Sequence, residues 1–338
     1  MLPKQFQNVF GSRTLYQQTY DRVKQLVAPQ NIFVVTNRIQ QSTAIEQLPD
    51  LPQKNVIAEP YVRSTAPCIS VAASALSSLD ENAVMVVLPA DHLITQEDIF
   101  ISQLKDAVRL AEKQKALVTI GITPTHPETG FGYIHYSKTD SDKDLLDHRG
   151  HTVLAFKEKP DHDTAVKFLQ SGDYLWNSGM FVWRVDVILD ELKKNLTHFS
   201  DFYPQLKDAF SLGEFDRVIE DYYQRVQSIS IDYAVMERAK KVLTLASGFG
   251  WSDVGSWDEV YRLANRDNSG NSFKGDVISV RTKNTFVWSE EKPIAVVEVE
   301  DLIVVETKDS ILICRKGKSQ AVKEIVDILR KENRQDLV

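Results

Sequence analysis

The sequence predicts an α/β protein with a Rossmann-like, mixed and mostly parallel sheet, flanking helices and a small β domain after it. Short apolar runs, such as residues 83–88 and Leu117–Ile122, alternate with helical patterns over the first two-thirds of the chain. This alternation is typical of parallel strands joined by crossover helices. Because residues 83–88 (AVMVVL) are apolar throughout, we expect this strand to be buried on both faces of the sheet.

The remaining elements of the large domain follow from the same patterns. A polar stretch at 137–150 is predicted to be an exposed loop between two short strands. Ser256 and Glu259 have the spacing of a capping box, which predicts a helix to about residue 264. Helices are predicted at 15–27, 67–79, 99–113, Val185–Asn195, 202–210, 215–227 and 231–240.

The character of the chain changes after residue 265. Residues 265–272 (NRDNSGNS) form a polar, turn-rich linker, and five short strand-like runs follow it, separated by turn signals. Such spacing is typical of an all-β unit. A last helix is predicted at 319–332. We therefore predict a large domain at 1–265 and a small β domain at 270–338.

Composition excludes several classes of protein. The 338 residues are 43% hydrophobic and 26% charged, with a net charge of −7 and no long basic run, so a disordered chain and a nucleic-acid partner are not expected. No apolar run is long enough to span a bilayer, and the N-terminus lacks the apolar core of a signal peptide. Two distant cysteines, Cys68 and Cys314, indicate a reducing compartment, and we expect a cytoplasmic location.

Two carboxylates stand in contexts suited to a metal ion. Asp91 follows the strand at 83–88, and ligands of open α/β sheets bind at the carboxyl ends of strands. Asp253 stands between glycines and tryptophans in GWSDVGSW, and both side chains offer the oxygen ligands that Mg²⁺ prefers. The alternatives are that Asp91 caps the next helix and that Asp253 is a solvated residue of a tight turn.

Three other segments have polar groups suited to a phosphorylated sugar or an anion. Glu158 and Lys159 in EKP suit sugar hydroxyls and a phosphate, although most such charged runs are solvated. Asn177 and Ser178 lie between aromatic blocks in WNSGMFVW, which is also compatible with a turn before a core strand. Arg63 precedes a helix that Ser64 or Thr65 can cap, and the positive N-terminal end of this helix attracts anions.

The order of these motifs points to one family. PKQF, EPxxRxTAP, LPADH, FGYI, EKP, WNSGMFVW, SIDYAVME and GWSDVGSW occur in series from Pro3 onwards, and together they resemble the mannose-1-phosphate guanylyltransferases, a family of sugar-phosphate nucleotidyltransferases. No GxGxxG, GxxxxGK[ST], HExxH or GxSxG motif occurs, which argues against a dehydrogenase, a P-loop enzyme, a zinc protease or a serine hydrolase.

The resemblance implies a reaction and its residues. In this family GTP and mannose 1-phosphate give GDP-mannose and pyrophosphate, with Mg²⁺ as cofactor and in-line attack of the sugar phosphate on the α-phosphorus. It also implies a left-handed β-helix-like C-terminal domain and allows a homodimer, with no nucleic-acid or membrane partner. By resemblance the catalytic residues are Lys4, Asp91, Lys159 and Asp253; the nucleotide site is Glu59, Arg63, Ser64, Thr65 and Asp91; the sugar site is Gly132, Glu158, Lys159, Asn177 and Ser178; and the metal ligands are Asp91 and Asp253.

The chain departs from the family pattern in two places. Ser64 stands where the family usually has Asn, which puts base recognition in question. The family also has a strand and a glycine-rich loop, GGxGTRLWPLSR, before PKQF, whereas PKQF here begins at Pro3. Without that strand we expect exposed edges on its neighbours and little transferase activity. The interpretations are an enzyme with further upstream residues, a non-catalytic nucleotide-sugar-binding or regulatory paralogue, and a sibling nucleotidyltransferase for another base or sugar.

Overall fold

The computed structural model describes residues 3–142, 145 and 147–334. Residues 143, 144 and 146 of the loop expected at 137–150 lie outside this description. The strands are β1 (Val34–Asn37), β2 (Val56–Glu59), β3 (Val84–Val87), β4 (Leu93–Ile94), β5 (Leu117–Ile122), β6 (Tyr133–Tyr136), β7 (Gly150–Lys157), β8 (Tyr174–Arg184), β9 (Val242–Ser247), β10 (Trp251–Ser252), β11 (Ser272–Lys274), β12 (Val277–Val280), β13 (Phe286–Ser289), β14 (Ile294–Val297), β15 (Leu302–Glu306) and β16 (Ile311–Arg315).

The helices complete the alternation that the sequence predicts. They are α1 (Leu15–Val23), α2 (Gln41–Gln47), α3 (Thr65–Leu79), α4 (Glu97–Gln114), α5 (His162–Ser171), α6 (Val185–Asn195), α7 (Phe199–Leu212), α8 (Phe215–Arg225), α9 (Trp257–Leu263) and α10 (Val322–Lys331). None of them, within the described ranges, is long and apolar enough to cross a bilayer.

The chain divides into two units, which are described separately. The large unit comprises Gln17–Ala90 and Ile94–Trp251, and the small unit comprises Met1–Tyr16, Asp91–Leu93 and Ser252–Val338. The α/β class is confirmed. The domain boundaries predicted at 265 and 270 stay a prediction.

Among the described residues, six strands of the large unit form one sheet in the order β3-β8-β5-β9-β7-β6, with an added pairing of β6 to β8. In the part of this sheet that the structure describes, only β5 and β9 pair in parallel, while β1 and β2 form a separate parallel pair. The sheet is therefore mixed, but most of its neighbouring pairs are antiparallel. The expectation of a mostly parallel sheet fails because β7 and β8 run against the strands beside them.

Helices cover both faces of this sheet. Along β8, Phe181 and Trp183 belong to one buried cluster, which also contains residues of α3, α6, α7 and α8. Met180 and Val182 belong to a second cluster, which contains Phe100 and other residues of α4. Because side chains alternate across a strand, this division places helices on opposite faces.

Strand β3 differs from its prediction. It lies at the edge of the sheet, pairs with β8 alone among the described strands, and is buried only at Met85. Val84 and Val86 pack against one core cluster and Met85 and Val87 against the other, so both faces of β3 contact the core, but the strand is buried less completely than expected. The expectation of exposed edges on neighbouring strands stays a prediction.

The predicted helix at 231–240 differs in type and length. The structure has a π-helical turn at Asp232–Met236, in which the Glu237 N–H donates to the Asp232 carbonyl at 2.9 Å. Strand β9 begins at Val242, so the chain leaves the helical path after this single widened turn. Such turns are frequent at functional sites.

The small unit contains a coil of short parallel strands. Strands β11, β13 and β15 form one parallel ladder, and β12 and β14 form another. Paired residues stand one coil apart, as Val277 with Ile294 and Phe286 with Ile303. Strand β16 ends the first ladder by pairing antiparallel to β15. Buried aliphatic residues between the ladders, including Val287, Val296 and Val304, form its core. The predicted β-helix-like domain is confirmed.

Candidate functional site

Three residues that are far apart in the sequence meet in the small unit. The Lys4 ammonium lies 2.9 Å from Asp91 Oδ2 and donates a hydrogen bond of 2.6 Å to the main-chain carbonyl of Asp253. Lys4 begins a 3-10 turn that the buried ring of Phe6 anchors edge-on against Tyr16. The fold thus brings together three of the four residues implied as catalytic.

Asp253 lies in a tight turn that holds its carboxylate. Asp253 Oδ1 accepts a hydrogen bond of 3.1 Å from the Gly255 N–H. Burial raises the pKa of Asp253, and the Gly255 hydrogen bond and the Lys4 charge oppose this increase. The charge of Asp91 raises this pKa further, so the two carboxylates interact electrostatically. The alternative that Asp91 caps the next helix is wrong, because α4 begins at Glu97 and its N-cap is Gln96.

The donor set at this point fits a hard divalent cation. Asp91 and Asp253 offer carboxylate oxygens, and the ammonium of Lys4 already lies at both residues. No group of three or more His, Cys, Asp or Glu in the described part of the chain is arranged to hold a metal ion. Mg²⁺ commonly binds one or two carboxylates and takes its other ligands from water and substrate phosphates. The Mg²⁺ cofactor stays a prediction, with Asp91 and Asp253 as the residues that would hold it.

A second cluster lies in the large unit, where β7 ends and β8 passes. The Asn177 side-chain amide donates to Asp232 Oδ1 at 2.7 Å and accepts from the Gly179 N–H at 3.1 Å. The main-chain N–H of Asn177 donates to the Gly132 carbonyl at 2.8 Å. Since the partners of Asn177 are backbone groups and one short side chain, its amide has a single defined orientation.

A carboxylate lies close beside Gly132. A Cβ at residue 132 would lie 2.6 Å from Glu158 Oε2 and 3.5 Å from the Asn177 Cβ. The other carboxylate oxygen, Glu158 Oε1, accepts from Lys159 Nζ at 2.7 Å. Lys159 has φ 42, a left-handed conformation that ends the strand and turns its side chain back to Glu158. Gly132, Glu158, Lys159 and Asn177 therefore form one polar group.

Asp232 joins this group, although the sequence analysis did not name it as a site residue. Burial raises the pKa of Asp232, and the Asn177 hydrogen bond opposes the increase. The charge of Glu158 raises this pKa and that of Lys159 lowers it, so all these groups face a common space. The signal was present in the motif SIDYAVME, but only the fold places Asp232 against Asn177.

Ser178 points away from this group. Its hydroxyl is buried, donates to the Ile120 carbonyl at 2.5 Å and accepts from the Met180 N–H at 3.2 Å. Its side chain is thus used in joining β8 to β5. The sugar-binding role implied for Ser178 stays a prediction.

The segment before α3 is fixed to the chain that follows α8. The Ile229 N–H donates to the Arg63 carbonyl at 3.2 Å, and the Ile231 N–H donates to Thr65 Oγ1 at 2.8 Å. Ser64 has φ 66 and ψ −172, which L-residues rarely adopt, and its side chain makes no capping hydrogen bond to α3. The expected cap is therefore absent at Ser64, and the Thr65 hydroxyl accepts from Ile231 instead.

Glu59 ends strand β2 and is contacted by an aromatic hydroxyl. Tyr223 on α8 donates to Glu59 Oε1 at 2.5 Å, and the main-chain carbonyl of the same tyrosine accepts from Arg63 Nε at 3.2 Å. Burial raises the pKa of Glu59, and the Tyr223 hydrogen bond lowers it. Two residues implied in nucleotide binding thus share one partner, which the sequence analysis missed because no motif contains it.

The tryptophans of GWSDVGSW are placed among aromatic side chains. In the large unit Trp251 stacks edge-on with Phe131, with ring centroids 5.2 Å apart, and contacts Trp176 at 6.5 Å. In the small unit Trp257 stacks edge-on with Trp288 at 5.4 Å.

Two family models match the chain. Residues 1–270 match the model described as nucleotidyl transferase, and residues 275–329 match the model described as MannoseP isomerase/GMP-like beta-helix domain.

Known proteins match over nearly the whole chain. A mannose-1-phosphate guanylyltransferase of Salmonella montevideo is 39% identical over 99% of this chain and 71% of its own length. One from Escherichia coli K12 is 37% identical over 99% of this chain and 70% of its own length. A crystal structure from Thermus thermophilus, described as mannose-1-phosphate geranyltransferase, superposes with a TM-score of 0.80 at 26% identity, covering 97% of this chain and 92% of that one. The family indicated by the motifs is thus confirmed, and the chain belongs to the mannose-1-phosphate guanylyltransferases, within the nucleotidyl transferases.

Proposed function

We propose that the chain transfers the guanylyl group of GTP to mannose 1-phosphate with the help of Mg²⁺. An oxygen of the sugar phosphate forms a bond to the α-phosphorus of GTP, the bond from that phosphorus to the bridging oxygen breaks in line, and GDP-mannose and pyrophosphate leave. The observation that carries this proposal is the meeting of Lys4, Asp91 and Asp253 at one point of the small unit.

The residues of the small unit serve the phosphates. Two anions must be held together in this reaction, and catalysis consists mainly of positioning them and stabilising charge. Asp91 and Asp253 would hold Mg²⁺, which neutralises phosphate charge when bound. Lys4 pairs with Asp91 through an ammonium that is about one-third exposed, so this group can turn to a phosphate oxygen.

The polar group of the large unit serves the sugar phosphate. Glu158 accepts hydrogen bonds from sugar hydroxyls, and the orientation of Asn177, fixed by Asp232, presents its amide to the same ring. Lys159 is largely exposed and can exchange its contact with Glu158 for the sugar phosphate. A planar carboxylate and amide beside a flexible ammonium are suited to a hexose that bears one phosphate.

Glu59 and Arg63 serve the base. A carboxylate accepts hydrogen bonds and a guanidinium donates them, and guanine has both donors and acceptors on its edges. The Ser64 backbone has a strained conformation between these residues and α3. Strain of this kind persists where surrounding contacts impose it, and such positions cluster at ligand sites.

The metal role is tested by Asp253→Ala, with Asp309→Ala as a control that removes one exposed carboxylate from the same unit. GDP-mannose formation and Mg²⁺ binding by calorimetry are measured for both variants in a chain extended by a glycine-rich loop and strand ahead of Pro3, and thermal unfolding checks the fold. We expect Asp253→Ala to lose metal-dependent turnover and Mg²⁺ binding at an unchanged melting temperature, and Asp309→Ala to keep them. Unchanged turnover in Asp253→Ala would contradict the metal assignment.

Substrate class is tested by competition. GTP, dTTP and UTP are supplied together with mannose 1-phosphate or glucose 1-phosphate, and the products are separated. A preference for another base or sugar would favour a sibling nucleotidyltransferase, and binding without product would favour a non-catalytic paralogue. The expectation of low turnover stays a prediction, tested by fusing a glycine-rich loop and strand ahead of Pro3. Cytoplasmic location and a homodimer also stay predictions.

A further inference from the structure

Tyr223 connects the two residues on which base recognition would depend. Its hydroxyl donates to Glu59 Oε1 at 2.5 Å, and its main-chain carbonyl accepts from Arg63 Nε at 3.2 Å. Glu59 ends a strand and Arg63 lies in the loop after it, whereas Tyr223 comes from helix α8. One residue of a separate element thus contacts both.

The environment of Tyr223 makes this contact rigid. The side chain is fully buried, with 0% exposure, on the apolar face of α8 beside Val218 and Ile219. Burial raises the pKa of Tyr223 far above its ordinary value, and the negative charge of Glu59 adds to the increase. The geometry has the Tyr223 hydroxyl as the donor to Glu59 Oε1.

The two contacts also determine which atoms remain available. With Oε1 of Glu59 occupied, Oε2 is left to accept from a ligand, and with Nε of Arg63 occupied, the terminal nitrogens are left to donate. Guanine has N–H donors at N1 and N2 and acceptors at O6 and N7, so it can use both groups. Adenine has an amino donor where guanine has O6, and it has no N1–H.

We propose that Tyr223 is a positioning residue that holds Glu59 and Arg63 in the arrangement that selects guanine over other bases. This inference rests on the proposed function, because it assumes that these two residues bind the base. It goes further in assigning the selectivity to a buried tyrosine that does not itself contact the nucleotide. Without the hydroxyl, the Glu59 carboxylate is free to rotate, and its contact with the guanine amino group weakens.

The test compares Tyr223→Phe with Tyr222→Phe. Tyr222 is the adjacent residue, is equally buried, and shares its hydrogen bond with Ser70, which lies outside the candidate site. Steady-state kinetics are measured with GTP and with ITP, which lacks the 2-amino group. For Tyr223→Phe we expect the KM for GTP to rise about tenfold, with kcat changed less than about twofold, as loss of a hydrogen bond to a charged group implies. The preference for GTP over ITP should fall, and the KM for mannose 1-phosphate should stay constant.

The control variant and a double variant make the outcome decisive. Tyr222→Phe should leave the KM and the GTP preference unchanged. In a cycle with Glu59→Gln, the effects of Tyr223→Phe and Glu59→Gln on KM should be much less than multiplicative, since both disturb one contact. Should Tyr223→Phe unfold, a preserved GTP preference in Glu59→Gln would refute the inference.

Failure of the inference is distinct from failure of the proposed function. The function itself would be refuted if neither the wild-type chain nor the same chain with the fused glycine-rich loop and strand turned over GTP. A wild-type chain that prefers GTP, beside a Tyr223→Phe variant with the same KM and the same preference, would refute only the role of Tyr223.

Discussion

Replacing Gly132 by alanine should lower the activity of the sugar site without lowering the stability of the fold. The added Cβ would lie 2.6 Å from Glu158 Oε2, whereas ordinary contact begins near 3.4 Å, so the carboxylate must move by about 0.8 Å. Its other oxygen accepts from Lys159, so this movement also displaces the ammonium beside the sugar site. Misplacement of a binding group by about 1 Å costs up to about 100-fold in rate.

We therefore expect Gly132→Ala to lower kcat/KM for mannose 1-phosphate by about 10- to 100-fold. The backbone at residue 132 is outside the left-handed region, so alanine is tolerated there and the unfolded chain loses freedom. Thermal stability should consequently stay equal or rise by up to about 1 kcal/mol. The KM for GTP should change little, because the added Cβ would clash with Glu158, which belongs to the sugar site and not to the nucleotide site.

Gly248→Ala is the matched control, since a Cβ there meets nothing within 4 Å. It makes the same chemical change in the same unit, and we expect wild-type kinetics. The reasoning would be refuted if Gly132→Ala turned over mannose 1-phosphate at the wild-type rate. Equal losses in both alanine variants would also refute it. A Gly132→Ala/Glu158→Ala variant should lose no more activity than Glu158→Ala alone.

Three further predictions concern charge and backbone strain. Because burial raises the pKa of Asp253, Mg²⁺ binding measured by calorimetry should begin to weaken at a higher pH than it would with an ordinary aspartate. In Lys4→Met this pH should be higher still, since the Lys4 charge lowers the pKa of Asp253. Identical pH profiles for the wild type and Lys4→Met would contradict this. Ser64→Gly should relieve strain and raise stability by about 1 kcal/mol in thermal unfolding, while the KM for GTP increases; a lower melting temperature would contradict it. The backbone N–H groups of residues 290–292 hold the pKa of Glu306 below its ordinary value. Ionised Glu306 therefore stabilises the fold at any pH above its ordinary pKa, and this contribution is lost as the pH falls through the lower pKa of the folded state. Glu306→Gln should melt lower than wild type at pH 7 and lose less on acidification; parallel curves would contradict this.

Local signals predicted the regular elements well. Strand Leu117–Ile122 and helix Val185–Asn195 have the bounds that the sequence indicates, because each begins and ends with a clear change of pattern. The capping box is confirmed at the Ser256 side chain, which accepts from the Glu259 N–H at 3.2 Å. The Glu259 carboxylate accepts from the Ser252 hydroxyl at 2.8 Å and from Arg262 Nε at 2.8 Å.

Elements whose state depends on distant neighbours were less predictable. The apolar run of β3 is typical of a central strand, yet β3 stands at the end of the strand order among the described residues, and the run alone cannot show this position. The pattern at 231–240 is helical, but the hydrogen bonds of Asn177 to Asp232 and of Ile231 to Thr65 fix this segment in another form.

The candidate site was found from motif order, and its partners came from the fold. Spacing alone cannot show that Lys4 meets Asp91 and Asp253, since this needs three separate segments to converge. Tyr223 has no distinctive neighbours in the sequence, and its importance comes only from the two contacts it makes. Side chains that act by orienting others are the ones that motif reading misses.

The coil of parallel strands in the small unit determines which lengths of insertion this unit can accommodate. Ladder partners such as Val277 and Ile294 recur after one full circuit of the chain, and β16 closes the last circuit by reversing direction. An insertion of one circuit after Val297 would add one layer of strands, and every later residue would face inward or outward as before. An insertion of half that length would move the later strands to the opposite ladder, so whole circuits are the insertions that preserve the existing strand pairs.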